Sequence, residues 1–307
     1  MKKIKIILTL TIIIAGFGTV LSQPLQYFMQ RSTTNIASMS EVESLQMFFS
    51  GAHSLVGFEG APKNILVDVC SPIRLISNSY RSRRDHHAPA QKNYVGGSLQ
   101  HESFGAHTYL QATLGYNHRL IVSDNASLTL GVGGGVSSRN SDYGKLNNEA
   151  AHYSNKEISF AHRVGIRFEV EKLNVAIFNS DKNYMGEIVW GRLWNNSASS
   201  KSNDKNRRSG GFGNERDGNW YGQFAVLFCH NTEWKTSVVR FSANVVYKDG
   251  FGIGLSYQTD NDLSANVSLR LTKSLRIGYA YQLMHSNPIA KKHEIVARYR
   301  IVRGDVD

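Results

Sequence analysis

The sequence predicts an all-β protein, an antiparallel transmembrane β-barrel of about 14 strands, on three observations. Segment after segment alternates apolar and polar side chains with a period of two, no run after residue 22 is apolar and long enough for a membrane helix, and several connections are very short turns. A soluble sandwich also alternates. Strand lengths of about ten residues, and tyrosines at the outward positions 247, 257, 279, 281 and 299, favour a barrel whose every backbone polar group is paired.

The chain begins with Lys2, Lys3 and Lys5 ahead of an apolar run over 6–15, and small residues lead to a cut after Ser22. Residues 1–22 therefore read as a signal peptide, with no cysteine following the cut to take a lipid. Removing those three lysines from 35 basic residues leaves 32 against 24 acidic ones, a net charge of +8. A basic excess suits nucleic acid, anionic lipid or an acidic partner, and export argues against nucleic acid.

Residues 23–40 are polar and aperiodic, and read as a periplasmic lead or a plug in the barrel mouth. The barrel is assigned to 41–302, with 303–307 as a tail. Leu45, Met47 and Phe49 share one face of the first strand, and Ile65, Val67 and Val69 return after a glycine-rich connection over 51–63. Residues 71–93 form an irregular basic connection carrying Arg74, Arg81, Arg83, Arg84 and Lys92. A weak strand over 94–103 turns at Phe104-Gly105-Ala106 into a clear one, where Leu110, Ala112 and Leu114 oppose Tyr109, Gln111 and Thr113. After the Asp124-Asn125 turn, Leu128, Leu130 and Val132 alternate with Thr129 and a row of glycines, and such a bare face suits a crowded interior.

A polar loop over 138–157 leads to Ile158, Phe160, Val164, Ile166 and Phe168, with Arg163, Arg167 and Glu169 opposite. Lys172 turns the chain into 173–178, and 184–194 is an eighth, less regular strand. A serine-, asparagine- and glycine-rich insertion over 195–218 carries Lys201, Lys205, Arg207, Arg208 and Arg216. Trp220, Phe224, Val226 and Phe228 mark a ninth strand. The clearest alternation fills 238–301, where five strands form a meander broken at 248–250, 259–262, 272–274 and a longer loop over 284–292. Its odd-numbered positions face lipid, and Arg240, Asn266, Arg270 and Gln282 face the lumen.

With an even count both termini lie at one end, the periplasmic one, so 51–63, 138–157 and 284–292 face outward. The basic insertions over 71–93 and 195–218 then face the periplasm. Fourteen strands tilted by about 40° enclose a bore about 30 Å across, too wide for wall side chains to fill. The barrel is plugged or it conducts, and 23–40 is the available plug.

No catalytic constellation stands out. His118, His162 and His230 have no nucleophile or acid at a meaningful spacing, and Asp85-His86-His87 offers two metal donors without further ligands. Neither the Gly131-to-Gly135 run nor Gly57 to Lys63 has the context of a phosphate loop. The expectation is no enzyme, no cofactor and no metal. Cys70 and Cys229 are either a disulfide or two small buried residues.

The signal peptide, QPLQYFMQ at 23–30, GFEGAPKN at 57–64, LRIGYAYQ at 275–282 and HEIVARYRI at 293–301 together resemble the PorP/SprF family of the type IX secretion system of Bacteroidota. The resemblance covers the mature chain. It implies an integral outer-membrane barrel that assists export or surface attachment of secreted proteins, including large adhesins of gliding species, with no catalysis. The implied partners are the secretion machinery and cargo bearing a C-terminal targeting domain, besides the lipid. Where the family commonly carries an asparagine-proline-alanine-tyrosine run, Asn35-Ile36-Ala37-Ser38-Met39 stands here, and residues 302–307 run past the usual aromatic end. Candidate partner-binding residues are Gly57, Phe58, Glu59, Gly60, Ala61, Pro62 and Lys63, which contact cargo or hold the turn, and Arg81, Arg83 and Arg84 on the periplasmic side. The competing reading is an outer-membrane channel or solute transporter.

Overall fold

The computed structural model describes residues 26–42, 44–54, 60–73, 92–123, 125–142, 154–180, 183–194, 220–232, 235–259, 262–284 and 292–301. Fourteen strands close into one antiparallel barrel in which each strand pairs with its sequence neighbours and the last pairs with the first. They are β1 (Gln46–Ser54), β2 (Lys63–Ile73), β3 (Lys92–Phe104), β4 (His107–Ser123), β5 (Ala126–Asp142), β6 (Ser154–Val170) and β7 (Leu173–Ser180). The circuit is completed by β8 (Asn183–Trp194), β9 (Trp220–Asn231), β10 (Thr236–Tyr247), β11 (Phe251–Gln258), β12 (Asp262–Arg270), β13 (Leu275–Met284) and β14 (Lys292–Arg300). Closure brings Gln46 opposite Arg300 and leaves no free sheet edge along the β1–β14 seam.

Alternation sorts the wall as expected. Phe241, Phe251, Ile253, Leu255, Tyr257, Leu263, Val267, Leu269, Ile277 and Ile295 are exposed on the outside, while Arg240, Ser242, Ser256, Gln258, Ser264, Ser268, Arg276, Gln282 and Glu294 are buried on the inside. This inverts a soluble protein and suits lipid outside with a polar lumen. Tyr257, Tyr279 and Tyr299 are exposed outward. Tyr247 and Tyr281, on the same face, are half-buried against Trp220 and His293 at ring-centroid distances of 4.6 and 5.0 Å.

Three boundaries differ from the sequence reading. β1 starts at Gln46 rather than Glu41, because Ile36–Glu41 winds as a 3-10 helix: the Asn35 carboxamide accepts the Ala37 N–H at 3.0 Å and the Ser40 hydroxyl donates to the Ala37 carbonyl at 3.0 Å. β2 runs on to Ile73, and β3 begins at Lys92 rather than Tyr94, since both continue one ladder in which Ile73 faces Asn93. β4, β5 and β6 are 17 residues each, because the polar stretches read as loop continue the ladder out to Asp142 opposite Ser154. Polar pairs such as Ser137 with Ser159 at 2.8 Å and His107 with Ser141 at 2.8 Å hold this extension. β6 meets β7 only from Arg163 onward.

The turn between β10 and β11 places Lys248 and Asp249 at φ 47° and 51°, with Gly250 N–H donating to the Tyr247 carbonyl at 2.9 Å. Two consecutive left-handed residues make the mirror-image turn that matches strand twist. Cys70 and Cys229 are free and buried on β2 and β9, so they are the small buried residues and not a disulfide. The residues expected to form the signal peptide, most of the two basic insertions and the tail beyond Ile301 lie outside the described residues.

Candidate functional site

Residues 26–42 lie within the barrel. A 3-10 turn at Tyr27–Met29, a one-turn helix α1 (Arg31–Thr34) and the 3-10 helix Ile36–Glu41 follow one another, and nearly every described side chain between Gln30 and Ser40 is buried.

A glycine floor receives this segment. Gly96, Gly115 and Gly133 stand in lateral register on β3, β4 and β5, and Gly131 on β5 faces Gly165 on β6. A Cβ added at Gly115 would lie 2.6 Å from Ile36 Cδ1, at Gly133 2.7 Å from the same atom, and at Gly131 2.9 Å from Ile36 Cγ2 and 3.1 Å from Ala37 N. Ile36, Met39 and Val42 then pack with Cys70 and Tyr94 in a small apolar core. The bare face of β5 is crowded by the chain's own N-terminal segment, not by neighbouring wall residues alone.

Polar side chains from around the wall fix the segment from the other sides. The Arg31 guanidinium pairs with Glu187 on β8 and, at 2.5 Å, with Glu41. Arg167 on β6 pairs with Glu41 at 2.7 Å, and Asn35 donates to Glu187 at 3.3 Å. Gln30 donates to Ser50 on β1 at 3.3 Å and to Glu294 on β14, Ser32 to Asp68 on β2 at 3.0 Å, and Arg163 on β6 to the Thr33 carbonyl at 2.5 Å. Asn117 on β4 donates to the Ile36 carbonyl at 3.0 Å. These charges sit out of water, so each relies on its partner, and removing one strands the other. Six strands around the bore thus hold one short segment.

Of the sequence-predicted partner-binding residues, Gly60, Ala61, Pro62 and Lys63 are among the described ones. Gly60 to Lys63 lie at the end where β1 finishes and β2 begins. Gly60 has φ +71° and its carbonyl accepts the Gly105 N–H at 2.8 Å, tying this loop to the β3–β4 turn. Ala61 is buried, the Pro62 carbonyl accepts the Ser54 N–H at 2.9 Å, and Lys63 opens β2 exposed. Gly57, Phe58, Glu59, Arg81, Arg83 and Arg84 lie outside the described residues, as do Asp85, His86 and His87. The connection that carries those arginines leaves β2 and enters β3 at the end where β1 begins and β14 finishes.

Among the histidines, His118 bonds Asn93 at 2.7 Å and His230 bonds Ser237 at 2.9 Å, both as partners of neighbouring strands. Among the described residues no three His, Cys, Asp or Glu side chains gather as a metal site. Sequence reasoning missed Arg31, Glu41 and Glu187, which had no signal beyond being polar.

A family model described as "Type IX secretion system membrane protein PorP/SprF" matches residues 21–299. No curated protein is a significant match. Among solved structures the chain is similar to the outer membrane protein Omp33 of Acinetobacter baumannii, at 6% identity and TM-score 0.48, covering 83% of this chain and 98% of that one. It is also similar to a triple mutant of the Rhodopseudomonas blastica porin, at 8% identity and TM-score 0.38, covering 84% and 99%.

Proposed function

The chain belongs to the PorP/SprF family of type IX secretion membrane proteins, an outer-membrane barrel of that system, and on this premise we propose that it is a non-enzymatic component assisting export or surface attachment of secreted proteins such as large adhesins. The observation that carries the reading is the seating of residues 26–42 on the glycine floor under a network of buried ion pairs. A bore occupied by its own chain serves poorly for solute flux and well for a barrel that works by holding partners. Cargo with a C-terminal targeting domain and the periplasmic secretion machinery are the partners in this reading, and residues 1–22 are the signal that exports the chain.

Within it, the loop Gly57 to Lys63 faces cargo or fixes the outer turn, and Arg81, Arg83 and Arg84 dock the periplasmic machinery. Charge reversal at those three arginines is expected to weaken co-purification with that machinery, and unchanged recovery would count against the docking role. The reading as a whole is tested by deleting the gene and quantifying the surface proteome. Loss of one or a few large secreted proteins supports it, whereas an intact surface proteome with impaired uptake of a solute replaces it with a transporter.

A further inference from the structure

Residues 26–42 reach as far as β9 and β13, where Phe28 packs by Leu227 and Gln26 and Met29 lie over Gly278, yet they leave a space against this side of the wall. There, at the end where β1 begins and β14 finishes, a cavity of about 210 Å³ opens between the segment and the wall. Its charge is one-sided. Arg270 on β12 stands opposite Arg276 on β13, and Arg276 opposite Arg298 on β14, so three arginines form a lateral row on the inner face. Like charges in direct cross-strand register repel. Lys248, Lys273 and Arg300 line the same cavity.

Against six cations the described wall residues at the cavity supply one carboxylate, Asp249. Its carboxylate accepts from Arg276 at 2.5 Å and from Arg270, yet it sits half exposed on the β10–β11 turn. Further donors of the pair go to main-chain carbonyls: Arg270 to Thr272 at 3.1 Å and Lys273 at 2.9 Å, Arg276 to Asp249 at 2.5 Å. Arg298 has no hydrogen-bond or ion-pair partner among the described residues. Glu41, the other carboxylate at the cavity, is held by Arg31 and Arg167 of the segment's own network.

A guanidinium row with one shared counter-ion is arranged for anions that arrive from outside, because each fork can take a carboxylate with two parallel bonds. The rest of the cavity says which kind. Gln223, Asn244, Ser256 and Asn266 from β9 to β12 line the same cavity and supply neutral donors and acceptors beside the arginines. A small inorganic anion needs only the cationic cluster, whereas a polypeptide uses both surfaces, its carboxylates on the arginines and its amides on the neutral wall. We propose that this cavity is a binding site for an acidic polypeptide segment that enters the barrel at the end where β1 begins and β14 finishes. The inference stands apart from the secretion reading, since it concerns only what this mouth binds.

The test is fluorescence anisotropy of the full chain in zwitterionic detergent with a labelled oligoglutamate peptide, and an oligoglutamine peptide as control. Oligoglutamate alone should bind, and the Arg276→Gln/Arg298→Gln protein should bind it about tenfold or more weakly. Asp249→Asn should bind it more tightly, because the internal competitor is gone while asparagine still accepts the left-handed turn conformation. That variant keeps the proposal testable where the double arginine variant fails to fold, and heat-dependent gel mobility reports folding of each. Equal binding by wild type and Asp249→Asn overturns the proposal. So does displacement of the peptide by an equal concentration of inorganic phosphate or of phosphorylated lipid headgroup, which would assign the site to phosphate.

Discussion

Gly131→Ala isolates the seating of residues 26–42 from the stability of the wall. The three atoms nearest to an added Cβ at this position all belong to the segment: Ile36 Cγ2 at 2.9 Å, Ala37 N at 3.1 Å and Ala37 Cα at 3.3 Å. Ordinary carbon contacts lie at about 3.5–4.0 Å, so the segment must withdraw by roughly half an ångström or more. Overpacking of this kind costs about 1–3 kcal/mol, which raises the unseated population about 5- to 150-fold. Arg31 is only 4% exposed, so trypsin reaches its carboxyl side only after unseating. Mass spectrometry of the N-terminal fragment in detergent micelles gives that rate, which tracks the open population when reseating is faster than cleavage. Adding Ile36→Ala removes the opposing methyl and should restore much of the protection, a non-additivity expected only of groups in contact. Equal cleavage of wild type and Gly131→Ala, with unchanged heat-dependent gel mobility, would refute the seating.

Glu187→Gln takes the Glu187 carboxylate from Arg31 and breaks a buried pair, a loss of about 3–5 kcal/mol, so the same trypsin assay should show cleavage faster than in Gly131→Ala; protection equal to wild type would contradict the network. Gly60→Val forces a branched residue to φ +71° with its Cβ 3.2 Å from Gly105 Cα, costing about 1–2 kcal/mol, seen as a lower temperature of the gel-mobility transition. Leu255→Arg, at the middle of β11 on the lipid face, should cost about 2–4 kcal/mol in urea titrations from vesicles and Phe251→Arg at the strand end about 0–1 kcal/mol; equal costs would contradict the placement in the bilayer.

The wall was legible in the sequence because a barrel writes its structure locally. A period of two names both faces of each strand, and short turns such as Lys248-Asp249-Gly250 fix where they reverse, which is why all fourteen strands were countable. The glycines of β5 announced a crowded interior but not what crowds it, since Ile36 lies far from Gly131 in sequence and only closure of the barrel brings them together. Arg31 and Glu187 are separated by 156 residues and read as two ordinary polar positions. Arg270 was readable as lumen-facing, yet its alignment with Arg276 and Arg298 depends on register, which a one-residue slip would abolish. Glu41 was drawn into the first strand because alternation extends backward from Leu45, while the side-chain bonds of Asn35 and Ser40 favour the 3-10 helix locally.

Single-molecule current recordings in planar bilayers bear most directly on a barrel that works by holding partners and not by passing solutes. Wild type should insert and stay silent, while Gly131→Trp, which drives a bulky ring into the space of Ile36 and Ala37, should open steady conductance. Steady conductance from wild type, unchanged in that variant, would contradict the occupied bore and favour a channel or solute transporter.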